Sequence, residues 1–145
     1  MAKQYIRAST VALAGLCAIL LLTGGVRAAD DETADAAFAF GEALFKERCA
    51  ACHGEDATGN GPAAPALKVA PPDLTEIAKH NGGTFPAPRV VEIITYGGNI
   101  AAHGSGPMPV WGLVFSQEGG GGKIGAARSR QALIALKRYL ESIQK

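Results

Sequence analysis

Cys49-Ala50-Ala51-Cys52-His53 places two thiols three positions apart, with an imidazole directly after the second. Thiols at this spacing can each add across one vinyl group of a haem, and the histidine that follows is then held beneath the iron. This is the signature of c-type attachment. A redox-active dithiol would need a strand before the motif and a helix starting at it. Here an amphipathic helical pattern precedes the motif and a Gly-rich loop follows it. A zinc site needs four ligands, and the chain holds no second cysteine pair. One covalently attached haem c, with iron, is therefore expected, bound through Cys49, Cys52 and His53.

Low-spin electron transfer needs a second axial ligand, and Met108, His80 and His103 are the candidates. Met108 lies 55 residues after His53, in Gly106-Pro107-Met108-Pro109-Val110-Trp111-Gly112. Prolines on both sides fix φ and stiffen the loop, which helps to hold a weak thioether at bonding distance. Met108 is taken as the ligand, with His103 as its rival and His80 as a solvated residue near the end of a short helix. His/Met ligation raises the reduction potential relative to bis-histidine haem and leaves no open position on the iron.

The run from Cys49 to His53, followed by Met108-Pro109 and a C-terminal amphipathic helix, resembles the class I c-type cytochromes over about residues 40–145. His103-Gly104 and Met108-Pro109-Val110-Trp111-Gly112 are similar to the small monohaem cytochromes of bacterial respiratory chains. The resemblance implies an all-α fold of about four helices wrapped around one haem. It also implies a first helix that crosses the last at a Gly and at an aromatic four residues later, matched by Gly41 and Phe45. A proline carbonyl in a Pro-x-Leu context would orient the axial histidine. Pro65-Ala66-Leu67 and Pro72-Asp73-Leu74 both match, and Pro65 is preferred. Trp111, Tyr96 and Arg89 are candidates to reach the propionates.

The elements that must position these residues follow from periodicity. Phe38, Gly41 and Phe45 fall near one face of a short helix before the motif. Leu133, Leu136, Leu140 and Ile143 form the stripe of an amphipathic last helix, with Ser129 as its expected N-cap. A turn or two of helix is expected over 73–80, and another helix over 89–96, stopped by Gly97-Gly98. No segment alternates with period 2, so no sheet is expected. Gly119 to Gly122 reads as a linker.

Charge and hydropathy place the chain outside the cytoplasm. Lys3 and Arg7 precede an uncharged apolar run from Val11 to Leu22, and small residues follow it. That is the pattern of a secretory signal peptide, with cleavage expected between Ala28 and Ala29. Twelve apolar residues fall short of the roughly 20 needed to span a bilayer. The expected organisation is a signal over 1–28, an acidic flexible lead-in over 29–40 and a haem domain over 41–145. Without Lys3, Arg7 and Arg27 the chain keeps 11 basic residues against 13 acidic ones. A near-neutral balance argues against nucleic acid.

The resulting expectation is a monomeric periplasmic one-electron carrier that passes electrons between redox protein partners and is not itself an enzyme. An electron-accepting subunit of a periplasmic dehydrogenase or oxidase is the alternative. A haem enzyme or gas sensor with a labile Met108 is the third reading. From Ile93 to Gln117 there is no Asp, Glu, Lys or Arg, so docking beside the ligand loop should be weakly steered by charge.

Overall fold

A computed structural model describes residues 25–97 and 108–145. The expected signal region up to residue 24, and the loop residues 98–107 that include His103 and Pro107, lie outside the described residues. The described residues are helical, with no strand among them. In chain order the helices are α1 (Gly25–Arg48), α2 (Ala50–His53), α3 (Ile77–His80), α4 (Ala87–Tyr96), α5 (Trp111–Glu118) and α6 (Gly122–Ser142). Two 3-10 turns, Ala64–Ala66 and Leu74–Glu76, precede α3. The chain divides into two compact units, residues 1–36 and 37–145.

Over residues 29–40, the expected flexible acidic lead-in, the chain is helical, with α1 running from Gly25. Ala28, Ala29, Ala34, Ala36, Ala37 and Ala39 supply the strongest helix formers, and their propensity outweighs the acids among them.

In the second unit, α1 meets α6 through Gly41. A Cβ on Gly41 would collide with the Ala135 carbonyl and lie 3.1 Å from Tyr139 Cβ. The missing side chain is thus what lets the two backbones touch. One turn later Phe45 stacks toward Tyr139 with ring centroids 5.2 Å apart, and Phe38 approaches the same ring at 5.9 Å. Phe45 and Leu136 are each only 1 % exposed, making them the most deeply buried large side chains. Truncating Phe45 to Ala would cost about 3–5 kcal/mol. Leu133, Leu136 and Leu140 are buried along the α6 stripe.

Helix α4 buries Val90 and Ile94. It ends where Gly97 adopts a left-handed conformation (φ 83°) and donates its N–H to the Ile93 carbonyl at 2.8 Å. Helix α5 is not expected from the sequence, since its apolar residues Trp111, Leu113, Val114 and Phe115 form no amphipathic stripe. Trp111 and Phe115 stack along it with centroids 5.5 Å apart.

Helix α6 starts seven residues before Ser129. That serine is therefore no N-cap: buried mid-helix, it donates its Oγ–H to the Gly112 carbonyl at 2.9 Å and ties α6 to α5. The glycine run 119–122 is a turn rather than a linker, closed by Gly121 N–H on the Ser116 carbonyl at 2.9 Å.

Candidate haem site

The cysteine motif continues the helical ladder of α1 almost without a break. Cys49 N–H donates to the Phe45 carbonyl (2.8 Å), and Cys52 and His53 N–H both return to the Cys49 carbonyl (3.1 and 2.9 Å). Residues i, i+3 and i+4 of a helical turn share one face, so both thiols and the imidazole point the same way. No disulfide joins the two cysteines.

They point into apolar space. One cavity of about 370 Å3 is lined by Phe45, Ile94, Leu136 and Leu140 together with Cys49 and His53. An adjoining one of about 320 Å3 is lined by Leu67, Val69 and Trp111 together with Cys49, Cys52 and His53. Cys49, His53, Pro72 and Met108 line both cavities. Met108 is partly buried against the core.

Burial dominates the electrostatics. It pushes the Cys49 thiol up to about 12, with Cys52 adding to the effect. Burial also lowers the pKa of His53 while the Pro72 carbonyl works against it, so the imidazole is held in the neutral form that can bind a metal. His53 Nδ1 is buried and has no partner at full hydrogen-bond geometry. The Pro72 interaction is therefore a close approach rather than a well-formed bond.

Pro65, the proline preferred from the sequence, sits in the Ala64–Ala66 turn and lines neither cavity, whereas Pro72 lines both. Pro72 is brought in by the loop after the motif. Gly59 N–H donates to the His53 carbonyl (2.7 Å) and Leu74 N–H to the Ala57 carbonyl (2.8 Å). Gly59 is packed so closely on the Pro71 carbonyl that a Cβ there would collide with it. Ala57 is wholly buried at φ 61°, a left-handed conformation uncommon outside Gly, Asn and Asp.

Of the other sequence candidates, Trp111 and Arg89 line the cavities, whereas Tyr96 is 61 % exposed and lines neither. The His80 side chain is 71 % exposed, 3.8 Å from Glu76, at the rim of the larger cavity. Leu136 and Leu140 line the site as well as forming the core. The i, i+4 stripe showed that they would be buried but not that they would face the cavity.

Two thiols, a neutral imidazole and a thioether converging on apolar space fit a covalently attached haem. The class defined by fold and site is an all-helical c-type haem protein. The cytochrome c family model matches residues 38–144, and the chain belongs to the cytochrome c family. No match was found among curated proteins or among solved structures. Members of the family carry covalently attached haem c with iron and serve in general as electron carriers between redox partners. Among the described residues no helix is long and apolar enough to cross a membrane.

Proposed function

We propose that this chain is a periplasmic one-electron carrier with a single haem c, attached through Cys49 and Cys52 and ligated axially by His53 and Met108. The observation that carries this reading is that Cys49, His53 and Met108 line the same two adjoining cavities although 55 residues separate the two ligands. When bound, the haem supplies reversible one-electron chemistry at its iron.

The chain's own residues do the rest. His53 offers a neutral imidazole, and Pro72, which lines both cavities where Pro65 lines neither, is the proline placed to orient it, since engaging the second nitrogen of an axial histidine fixes its ring plane and basicity. Leu136, Leu140 and Ile94 keep water from the site. Export is supported by Lys3, Arg7, the apolar run and the small residues up to Ala28, and it agrees with a haem attached after translocation.

The ligand assignment is tested by the weak long-wavelength sulfur-to-iron charge-transfer band of the oxidised protein. Met108→Ala should abolish it, lower the potential and leave the covalent haem in place. Loss of the low-spin spectrum in His103→Ala but not in Met108→Ala would overturn the assignment.

A further inference from the structure

The wall that carries Pro72 is too short to hold itself. Leu74–Glu76 and Ile77–His80 together make seven residues of 3-10 and α turn, far below the roughly 12–15 at which an isolated helix becomes even marginal in water. At such a junction the backbone groups need outside partners. Asp73 satisfies one end: its carboxylate accepts from Thr75 N–H (2.8 Å) and Thr75 Oγ–H (2.6 Å).

The other partner comes from the far end of the chain. The Gln144 carboxamide accepts from Ala78 N–H at 2.8 Å through Oε1, and through Nε2 donates to the Leu74 carbonyl at 2.8 Å. The same Nε2 donates to Leu140 at 2.6 Å, anchoring the carboxamide to the end of α6. Next to it, Lys145 N–H donates to the Thr75 carbonyl at 2.9 Å. A carboxamide presents donor and acceptor together, as a peptide group does. Gln144 thus replaces two backbone partners that the short turn cannot supply.

We propose that Gln144 is a positioning residue for the haem histidine. It locks the Leu74–Ala78 turn to α6 and so fixes the place of Pro72, two residues before that turn, which lines both cavities together with His53. The inference rests on His53 being an axial ligand. A carbonyl that engages the second ring nitrogen raises the basicity of the ligand, which favours ferric iron. If the turn loosens, that engagement weakens and the potential should rise.

The experiment uses the haem-loaded protein, comparing Gln144→Met, which keeps the bulk and loses all three hydrogen bonds, with Gln144→Glu, which keeps only the acceptor. In Gln144→Met the reduced-to-oxidised ratio at a fixed applied potential should rise about threefold, equivalent to about 28 mV at 59 mV per tenfold for one electron. The His53 ring N–H resonance should move and exchange faster with solvent, while the sulfur-to-iron band stays unchanged. Gln144→Glu should move the same observables in the same direction.

A merely structural role would lower the unfolding midpoint and leave the potential and the His53 resonance where they were, and that result overturns the proposal. Should Gln144→Met fail to take up haem, amide exchange in the unmodified protein decides: Ala78 N–H must be protected like the interior of α6, and fast exchange there would overturn it. A wild-type protein without a low-spin haem spectrum would instead refute the ligation reading, so the two failures are distinguishable.

Discussion

The two sides of the proposed iron site are built by different means. His53 lies in a segment whose backbone is bonded at short intervals: Gly54 to Ala50 (2.8 Å), Gly59 to His53 (2.7 Å), Gly61 to Cys52 (3.2 Å) and Ala63 to Ala51 (2.8 Å). Each of these bonds closes a loop of at most a dozen residues. Met108 instead depends above all on packing against core residues that come from distant parts of the chain, such as Phe45 and Leu136. The described residues give it packing against the core and Gly97, where an ideal Cβ would stand 2.8 Å from the Met108 carbonyl. A site closed by short loops loses little chain entropy on forming, and one closed over tens of residues loses more. The histidine side should therefore be the sturdier, with ligand loss confined to the methionine side.

The largest effect should come from breaking the histidine side at its covalent bonds. Replacing both Cys49 and Cys52 by Ser should reduce covalently bound haem from one per chain to none, read as intact mass and as haem retained under denaturing conditions. Haem retained covalently by that variant would contradict the assignment of the motif.

On the methionine side, Gly97→Ala should have the next largest effect. Its φ of 83° costs an L-residue roughly 1–2 kcal/mol, and the new methyl would press on the Met108 carbonyl. The expected outcome is a weakened sulfur-to-iron band, a lower alkaline limit for its loss, and intact covalent haem. A wild-type band in this variant would mean that Gly97 does not govern where Met108 sits.

A smaller effect sharpens the histidine side. Asp73 is held below the usual carboxylate range by the Thr75 hydroxyl and amide. Its depressed folded pKa means that it contributes stability above about 3.8, the ordinary value, and that this contribution is lost as pH falls through the lower folded value. Asp73→Asn should therefore lower the urea midpoint at pH 7 and converge on the wild type in strong acid. Equal differences at both pH values would remove the cap from the account.

The smallest effect concerns docking. The uncharged run from Ile93 to Gln117 predicts electron-transfer rates with a redox partner that change little over a salt series around physiological strength, where the Debye length is about 8–10 Å. A steep fall in stopped-flow rates would instead reveal steering by charge, with Arg48, which lines the smaller cavity beside Trp111, as the first residue to test.

How much of this was legible depended on how local each feature is. The Cys49–His53 motif and the stop at Gly97 could be read because each is a pattern within about ten residues, fixed by helical periodicity or by φ, whereas the packing of Gly41 and Phe45 on the last helix was implied only by the family resemblance. Helix α5 could not be read, because Trp111–Phe115 holds no polar side chain to reveal a period and the polar residues come only at the end of the helix. Ser129 was misassigned for a related reason: a serine near the start of a stripe looks like a cap, and only the position of Gly112 shows that its hydroxyl is used between helices.

Sequence by itself determined the chemistry: two thiols and an imidazole on one helical face, a methionine between prolines, and an apolar stripe to build the core. Tertiary structure decided which proline lies beside the histidine. Pro65 and Pro72 stand in the same Pro-x-Leu pattern, and nothing local separates them. The choice falls to Pro72 because Gly59 admits the Pro71 carbonyl, Leu74 bonds back to Ala57, and Gln144 reaches 66 residues back to hold Ala78. Such contacts depend on where distant backbone groups end up in space, and that placement is set by packing of the whole core rather than by any short stretch of residues.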